Sequence, residues 1–319
     1  MGHWKIDTEA LARGRFAVSP LAETVASILA LRSRRKHPGL EDWQRANQHA
    51  FREFVAADPF TRAFLDAAFR PRWNADFVVA PPHRADRTFH DELRHVRETP
   101  LDVALADLGT SRTEARGTPL ETPELADRCA DVLEWVWTHL VRPDWTRRRW
   151  ILESDIVART HQLSSHGWAA ALEGLGPGVR WLGDGRLRIN AFDNPPREIS
   201  DAELIFVPVT PRHGWVGWDE PHRYTLIYPS SGVLASPERD ATPTALRRLI
   251  GPARASVLAL LDAPKSTSQL VALTGYTLGS VGGHLRVMLD AGLVRRSRSG
   301  RSVLYYRTPL GEELVDANP

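Results

Sequence analysis

The chain of 319 residues is 42% hydrophobic and 25% charged, with one cysteine and a formal net charge of +2. This composition excludes a disordered chain and a disulfide framework, and the length fits about two domains. No apolar run reaches the roughly 18 residues of a membrane span, and no apolar segment follows a basic N-terminus, so a reducing cytoplasm is the expected setting.

The first 175 residues read mainly as helices. Ser19-Pro20 has the form of an N-cap followed by proline at the first helical position, and Leu21, Val25, Ile28 and Leu29 then share a face. Glu41 to Ala57 repeats the helical period through Trp43, Ala46, Ala50 and Phe54. Pro81-Pro82 marks a loop, and Thr99-Pro100 and Thr122-Pro123 repeat the cap-then-proline signal. Pro143 interrupts the helical pattern between Trp137 and Trp150. After the breaker Gly174-Leu-Gly-Pro-Gly the texture changes. Val179–Leu182 and Arg186–Ile189 flank Gly183-Asp-Gly and predict a β-hairpin, with further strands over Glu203–Val209 and Tyr224–Tyr228. Together they predict a small antiparallel sheet over 178–230, and Pro237–Pro243 reads as a linker.

Beyond it, Leu246, Leu249 and Ile250 line one side of a helix that opens at Thr242-Pro243, and Val257, Leu258 and Leu261 one side of a second. Ser266 and Gln269 have capping-box spacing before a short helix with Leu270 and Leu273 apolar. Gly275 stands where that helix needs a left-handed residue, and Thr277 is the next N-cap. Helix, glycine turn and helix within about 25 residues is the helix-turn-helix pattern. The second helix, from about Leu278 to Ala291, puts Val281, Leu285 and Met288 inward and Gly279, Gly283 and Arg286 outward. Two strand-like runs, Leu293–Arg298 and Arg301–Arg307, then flank Ser299-Gly300 as a hairpin that carries Arg295, Arg296, Arg298, Arg301 and Arg307. A basic hairpin after such a helix is a wing.

Charge supports this division. Residues 241–319 hold ten Lys/Arg against five acids, a net of +5, whereas the other 240 hold 31 against 34, a net of −3. A basic module on a slightly acidic body is the asymmetry of a chain in which one part meets a polyanion. All eleven tryptophans lie outside the basic module.

The string Ser266-Thr-Ser-Gln-Leu, then Gly275, Val281, His284-Leu-Arg, Asp290-Ala-Gly-Leu-Val and Arg298-Ser-Gly-Arg-Ser-Val-Leu-Tyr resembles the ArsR/SmtB family of bacterial winged-helix repressors over about residues 243–311. The N-terminal part resembles the long extension of one actinobacterial ArsR-like group, through Leu11-Ala-Arg-Gly-Arg-Phe-Ala-Val-Ser-Pro-Leu-Ala-Glu-Thr and Tyr228-Pro-Ser-Ser-Gly-Val. That extension has no assigned activity. The resemblance implies a DNA-binding repressor that dimerises on a palindromic site.

Two departures bear on mechanism. Family members usually hold Ser and a larger polar residue where this chain has Gly282 and Gly283, so direct readout passes to Thr277, Ser280, His284 and Arg286, assisted by the wing. The family's metal-site cysteines are also absent, so no thiolate metal sensing and no cofactor is expected. Twelve histidines occur without a His-Glu-x-x-His motif. His284 either touches DNA or buttresses the fold. Cys129 reads as a buried thiol in a helix rather than a redox switch. Trp135, Trp137, Trp145, Trp150, Trp168, Trp181, Trp215 and Trp218 read as ordinary core, or as the lining of a cavity for a small organic effector.

The expected fold is α+β. Residues 1–240 form an effector or dimerisation domain, helical to about 175 and β-rich over 178–230, and residues 241–319 form a winged helix-turn-helix. The expected function is sequence-specific DNA binding by a homodimeric, non-enzymatic repressor. The expected contacts to double-stranded DNA are Ser266, Thr267, Thr277, Ser280, Gly282, Gly283, His284, Arg286, Arg296, Arg298 and Arg301. A competing reading makes the N-terminal part an interaction or catalytic module and the winged helix a dimerisation or docking element.

Overall fold

A computed structural model describes residues 2–33, 40–71, 73–84, 88–176, 178–190, 196–230, 244–262, 264–274, 276–299 and 302–316. The fold is α+β. Strand β1 (His3–Ile6), helix α1 (Thr8–Ala12) and strand β2 (Arg15–Phe16) open the chain. Helices α2 (Pro20–Arg32), α3 (Glu41–Ala57) and α4 (Pro59–Ala68) follow, then the short strands β3 (Phe69–Arg70) and β4 (Trp73–Asn74). Next come α5 (Phe89–Arg97), α6 (Leu101–Asp107), α7 (Arg112–Ala115), α8 (Leu125–Val136) and the long α9 (Trp145–Ala171). Strands β5 (Arg180–Gly183), β6 (Arg186–Arg188), β7 (Arg197–Ile199), β8 (Glu203–Val209), β9 (Trp215–Asp219) and β10 (Arg223–Pro229) complete the N-terminal unit.

The Ser19 hydroxyl caps α2 by accepting from the Ala22 N–H at 3.0 Å, as its place before Pro20 predicts. The helix is buried on nearly every side, polar Glu23, Thr24 and Ser27 included, and is the central helix of the N-terminal unit rather than an amphipathic surface one. In α3 the buried residue is Phe51, whereas the expected face residues Ala46 and Ala50 are exposed. Thr99 and Thr122 do not cap. The Thr99 hydroxyl donates back to the His95 carbonyl, and α6 and α8 start without a side-chain cap. Pro143 interrupts the α-helical pattern as expected, between α8 and α9. The chain runs from α8 to α9 through a wide π turn at Trp137–Val141 and a 3-10 turn at Arg142–Asp144, which take up the missing proline N–H.

The expected single antiparallel sheet is two mixed sheets. One has the order β5-β6-β1-β7 and the other β2-β8-β10-β9. The Gly183–Gly185 hairpin forms as expected, but β6 then pairs with β1 antiparallel, and β7 pairs with β1 in parallel. β8 lies parallel to both β10 and β2. Strands of two to four residues near the N-terminus carry no visible period, and their partners lie about 190 residues away, so no local pattern announces them. Gly185 has a reason to be glycine: φ is +71°, and a Cβ there would sit 2.4 Å from the Ile6 carbonyl oxygen.

The helices pack around one apolar core and the strands around others. The tryptophans spread among these cores instead of surrounding one cavity. Trp135 stacks on Phe54 at 3.8 Å, Trp137 on Phe89 at 4.7 Å, and Trp168 packs against Phe16 and Phe206. Cys129 is fully buried, and burial pushes its thiol well above the usual range, so it is packing and not a reactive thiolate.

Helix, sheet and core meet at Arg148, whose side chain is 0% exposed. Its Nη1 donates to Glu23 Oε1 (2.6 Å), Ser27 Oγ (3.0 Å) and Thr210 Oγ1 (3.3 Å), and its guanidinium lies 4.4 Å from the Trp43 ring. Glu23, also fully buried, accepts from the Thr210 amide at 2.8 Å and from the Thr210 hydroxyl. One charge pair therefore ties α2 and α9 to the end of β8. Asp144 lies 3.4 Å from the Arg148 Nε as a second, half-buried carboxylate, so removing Glu23 leaves the guanidinium with one acid partner instead of two and costs up to about 3–5 kcal/mol, whereas replacing both Glu23 and Arg148 with apolar groups of similar volume can be neutral. Urea unfolding should therefore show Glu23→Ala destabilised by about that amount, and Glu23→Leu/Arg148→Met less destabilised than Glu23→Ala.

A half-buried carboxyl predicts a pH effect. Burial pushes the Asp76 carboxyl up to about 6, the nearby Asp107 charge adds to this, and the Trp218 indole and Arg197 only partly offset it. The folded chain then holds a proton that the unfolded chain has lost, so this group's contribution to stability falls as pH rises from about 4 through about 6. Thermal melting should place Asp76→Asn above the parent at pH 7, with the difference closing toward pH 4.

Candidate nucleic-acid interface

The C-terminal unit begins with α10 (Thr244–Ile250), which packs through Leu246, while Leu249, expected on the same face, is 69% exposed. Thr242, Pro243 and the 237–243 linker lie outside the described residues. Gly251, at φ +86°, breaks the chain before α11 (Pro252–Ala259). A short strand β11 (Lys265–Ser266) then leads into α12 (Thr267–Thr274) and α13 (Leu278–Asp290). Strands β12 (Val294–Ser299) and β13 (Ser302–Arg307) form the wing, and α14 (Pro309–Asp316) closes the unit.

The helix pair forms as its periodicity predicts. Val281, Leu285 and Met288 of α13 join Val257, Leu258, Leu261 and Leu270 in one buried core. Thr277 caps α13, its hydroxyl accepting from the Ser280 N–H at 3.3 Å. Ser266 pairs with Leu304 in the sheet, and Thr267 opens α12, so both stand at the N-terminal end of the first helix of the motif. Gly275 and the side chain of Gln269 lie outside the described residues.

On α13 the expected contact residues divide. Gly279, Ser280, Gly283 and Arg286 are exposed and Gly282 is half-buried. His284 faces its own unit. Its Nε2 lies 3.2 Å from the Ser280 hydroxyl, and its ring meets Tyr276 edge-on at 6.3 Å. A Cβ built on Gly279, Gly282 or Gly283 meets no atom within 4 Å, so packing requires none of the three glycines. Each costs the helix about 1 kcal/mol relative to alanine.

The wing differs from its sequence reading by one residue. Ser299 pairs with Ser302, so Ser299 belongs to β12 and not to the expected Ser299-Gly300 turn; Gly300 and Arg301 lie outside the described residues. The partners across the wing move by two residues, so each side chain keeps the face that its sequence position predicts. Arg296 stands opposite Tyr305 and Arg298 opposite Val303, on the face whose base packs inward through Val294 and Tyr305. That face is apolar over the helices and basic toward the tip. Arg295 points to the other face; all three arginines are exposed.

Arg307 leaves the wing set. Its side chain is 7% exposed, its Nε donates to the Leu258 carbonyl (2.9 Å), its Nη2 to that of Ala259 (2.6 Å), and its Nη1 pairs with Glu312. A cation on the last carbonyls of α11 satisfies groups that the helix leaves open. Neither β11 nor α14 was expected: β11 is two residues long, and α14 has few apolar residues, packing only Leu314 and Val315 on the core.

α12 has two packed faces. Leu270 enters the winged-helix core, while Leu273 packs against Leu40 and Ile151 of the N-terminal unit, a pair that Trp43 also covers. Trp43 is the same ring that stacks on Arg148.

The arginines separate into two testable roles. Removing one phosphate contact should flatten the slope of log K against log salt by about 0.9. Arg296→Ala/Arg298→Ala should therefore weaken binding to every duplex and reduce that slope by about 2, with thermal stability unchanged. Arg307→Ala should lower the melting temperature instead. Fluorescence anisotropy across a salt series, with calorimetric melting, separates the two.

Neither a curated protein nor a solved structure matches the chain. Residues 254–296, from α11 to the first strand of the wing, match the model of the arsR family of bacterial regulatory proteins. The chain therefore carries an ArsR-type helix-turn-helix, a DNA-binding module of transcription regulators.

Proposed function

We propose that this protein is a sequence-specific DNA-binding repressor that acts as a homodimer and is not an enzyme. The observation that carries the reading is the pairing of a Thr277-capped, largely exposed recognition helix with Arg296 and Arg298 on one face of the adjoining wing. A helix of this kind enters the major groove by its N-terminal end, and a basic ribbon beside it holds the phosphates.

Dimerisation is supported by Leu249 of α10, 69% exposed, and Leu310 of α14, 54% exposed, both on helices that pack around α11. A two-fold assembly lets one surface read two half-sites. The N-terminal unit serves as the regulatory part, through the Leu273 contact on α12. It takes a polar organic effector, a reading supported by the open cleft of about 1020 Å³ between α2, α3 and α4, where Arg52 and Arg62 stand beside Glu41, Leu31 and Phe51, and where Arg32 and Arg45 are paired with Asp66 and Asp42. Among the described residues no tryptophan lines that cleft, and no helix is long and apolar enough to cross a membrane.

Selection of duplexes from a random-sequence library by the full chain should return an inverted repeat, and sedimentation should show twice the 35.7 kDa chain mass. Leu249→Asp should shift the chain to monomer and weaken binding to the repeat at least tenfold. An unenriched library, or a monomer bound to a single half-site, overturns the reading. Transcription from a promoter carrying the selected repeat should fall when the protein is added.

A further inference from the structure

Four residues begin the recognition helix, and three of them offer little to a base. The Thr277 hydroxyl caps the helix, Gly279 has no side chain, and the Ser280 hydroxyl is engaged with His284. The fourth is Leu278, a large apolar side chain 61% exposed at the first helical position. Scattered exposed leucines are ordinary on a protein surface. This one stands at the end of the helix that meets base edges in a helix-turn-helix.

Its neighbours on the helix surface fit that position. Leu278, Gly282 and Arg286 follow at intervals of four residues, so they form one strip. Gly282 has open space where a Cβ would be, which lets a groove edge come against the helix backbone between the two side chains. Arg286 is exposed at the far end. In the major groove the one apolar marker is the 5-methyl group of thymine, and the commonest arginine contact is guanine.

We propose that Leu278 is a specificity-determining residue that reads a thymine 5-methyl group in each half-site, across a strip of helix kept bare by Gly282. The inference rests on the DNA-binding reading above. Eight residues of helix rise about 12 Å, which at about 3.4 Å per base pair places the thymine roughly three to four base pairs from the guanine met by Arg286.

The test uses the full chain and the tightest duplex selected from the random library. Each thymine is replaced in turn by deoxyuridine, which removes only the methyl group, and affinity is read by anisotropy at one salt concentration. One thymine per half-site should lose about fourfold in affinity on replacement, the worth of one buried methyl group. Leu278→Ala should bind the thymine and deoxyuridine duplexes equally, with melting temperature and circular dichroism unchanged. The inference is overturned if no replacement costs more than about twofold, or if Leu278→Ala keeps the parent's discrimination. A library from which no duplex is enriched removes the DNA-binding reading itself, whereas tight binding insensitive to every methyl removes only this inference.

Discussion

Arg148 is a guanidinium with no solvent contact, held between the carboxylate of Glu23 and the ring of Trp43. Taking two such ions out of water costs several kcal/mol each before their attraction is counted. The cost is partly offset because Glu23 also accepts two hydrogen bonds from Thr210, Ser27 accepts from the guanidinium and Asp144 stands 3.4 Å from its Nε, while its Nη2 makes no hydrogen bond among the described residues. The geometry is satisfied only when α2, α9 and the end of β8 are all in place. An apolar contact would tolerate sliding of these elements; a paired charge does not. The buried pair therefore positions the surface formed by Leu40 and Ile151, which Trp43 also covers and on which Leu273 of α12 rests.

That arrangement gives α12 an unusual position. The first helix of a helix-turn-helix supports the recognition helix, and here its other face is held by the N-terminal unit. Leu40 and Ile151 therefore border α12, which shares its core with α13. The proposed regulation thus has a short apolar path between the two units, and a ligand would act by favouring one placement of Leu273 over another.

The winged helix shows how one residue type takes different tasks by position. Arg296 and Arg298 stand toward the tip of a ribbon whose base is apolar, where solvent or phosphate can reach them. Arg307, at the other end of the same hairpin, turns onto the carbonyls of Leu258 and Ala259 and stabilises the fold. Glycine shows the same division. Gly185 and Gly251 answer backbone requirements, whereas Gly279, Gly282 and Gly283 answer none that packing imposes.

Several local determinants were legible in the order of residues, although the caps read at Thr99 and Thr122 did not form. The Ser19 and Thr277 caps, the Val281-Leu285-Met288 face, the Gly183–Gly185 hairpin and the helix-turn-helix all depend on neighbours within about four residues, so the side-chain period and the capping chemistry suffice. Whatever joins distant segments was settled by long-range packing instead. It recruited β1 and β2 into sheets whose other strands lie about 190 residues on, because parallel pairing leaves no local signature. It paired Ser299 with Ser302 in the wing, where the local signal reads Ser299-Gly300 as the turn. It buried Arg148 with Glu23 and turned Arg307 inward. A charge in a sequence reads as a surface charge until the fold provides the partner that makes burial tolerable.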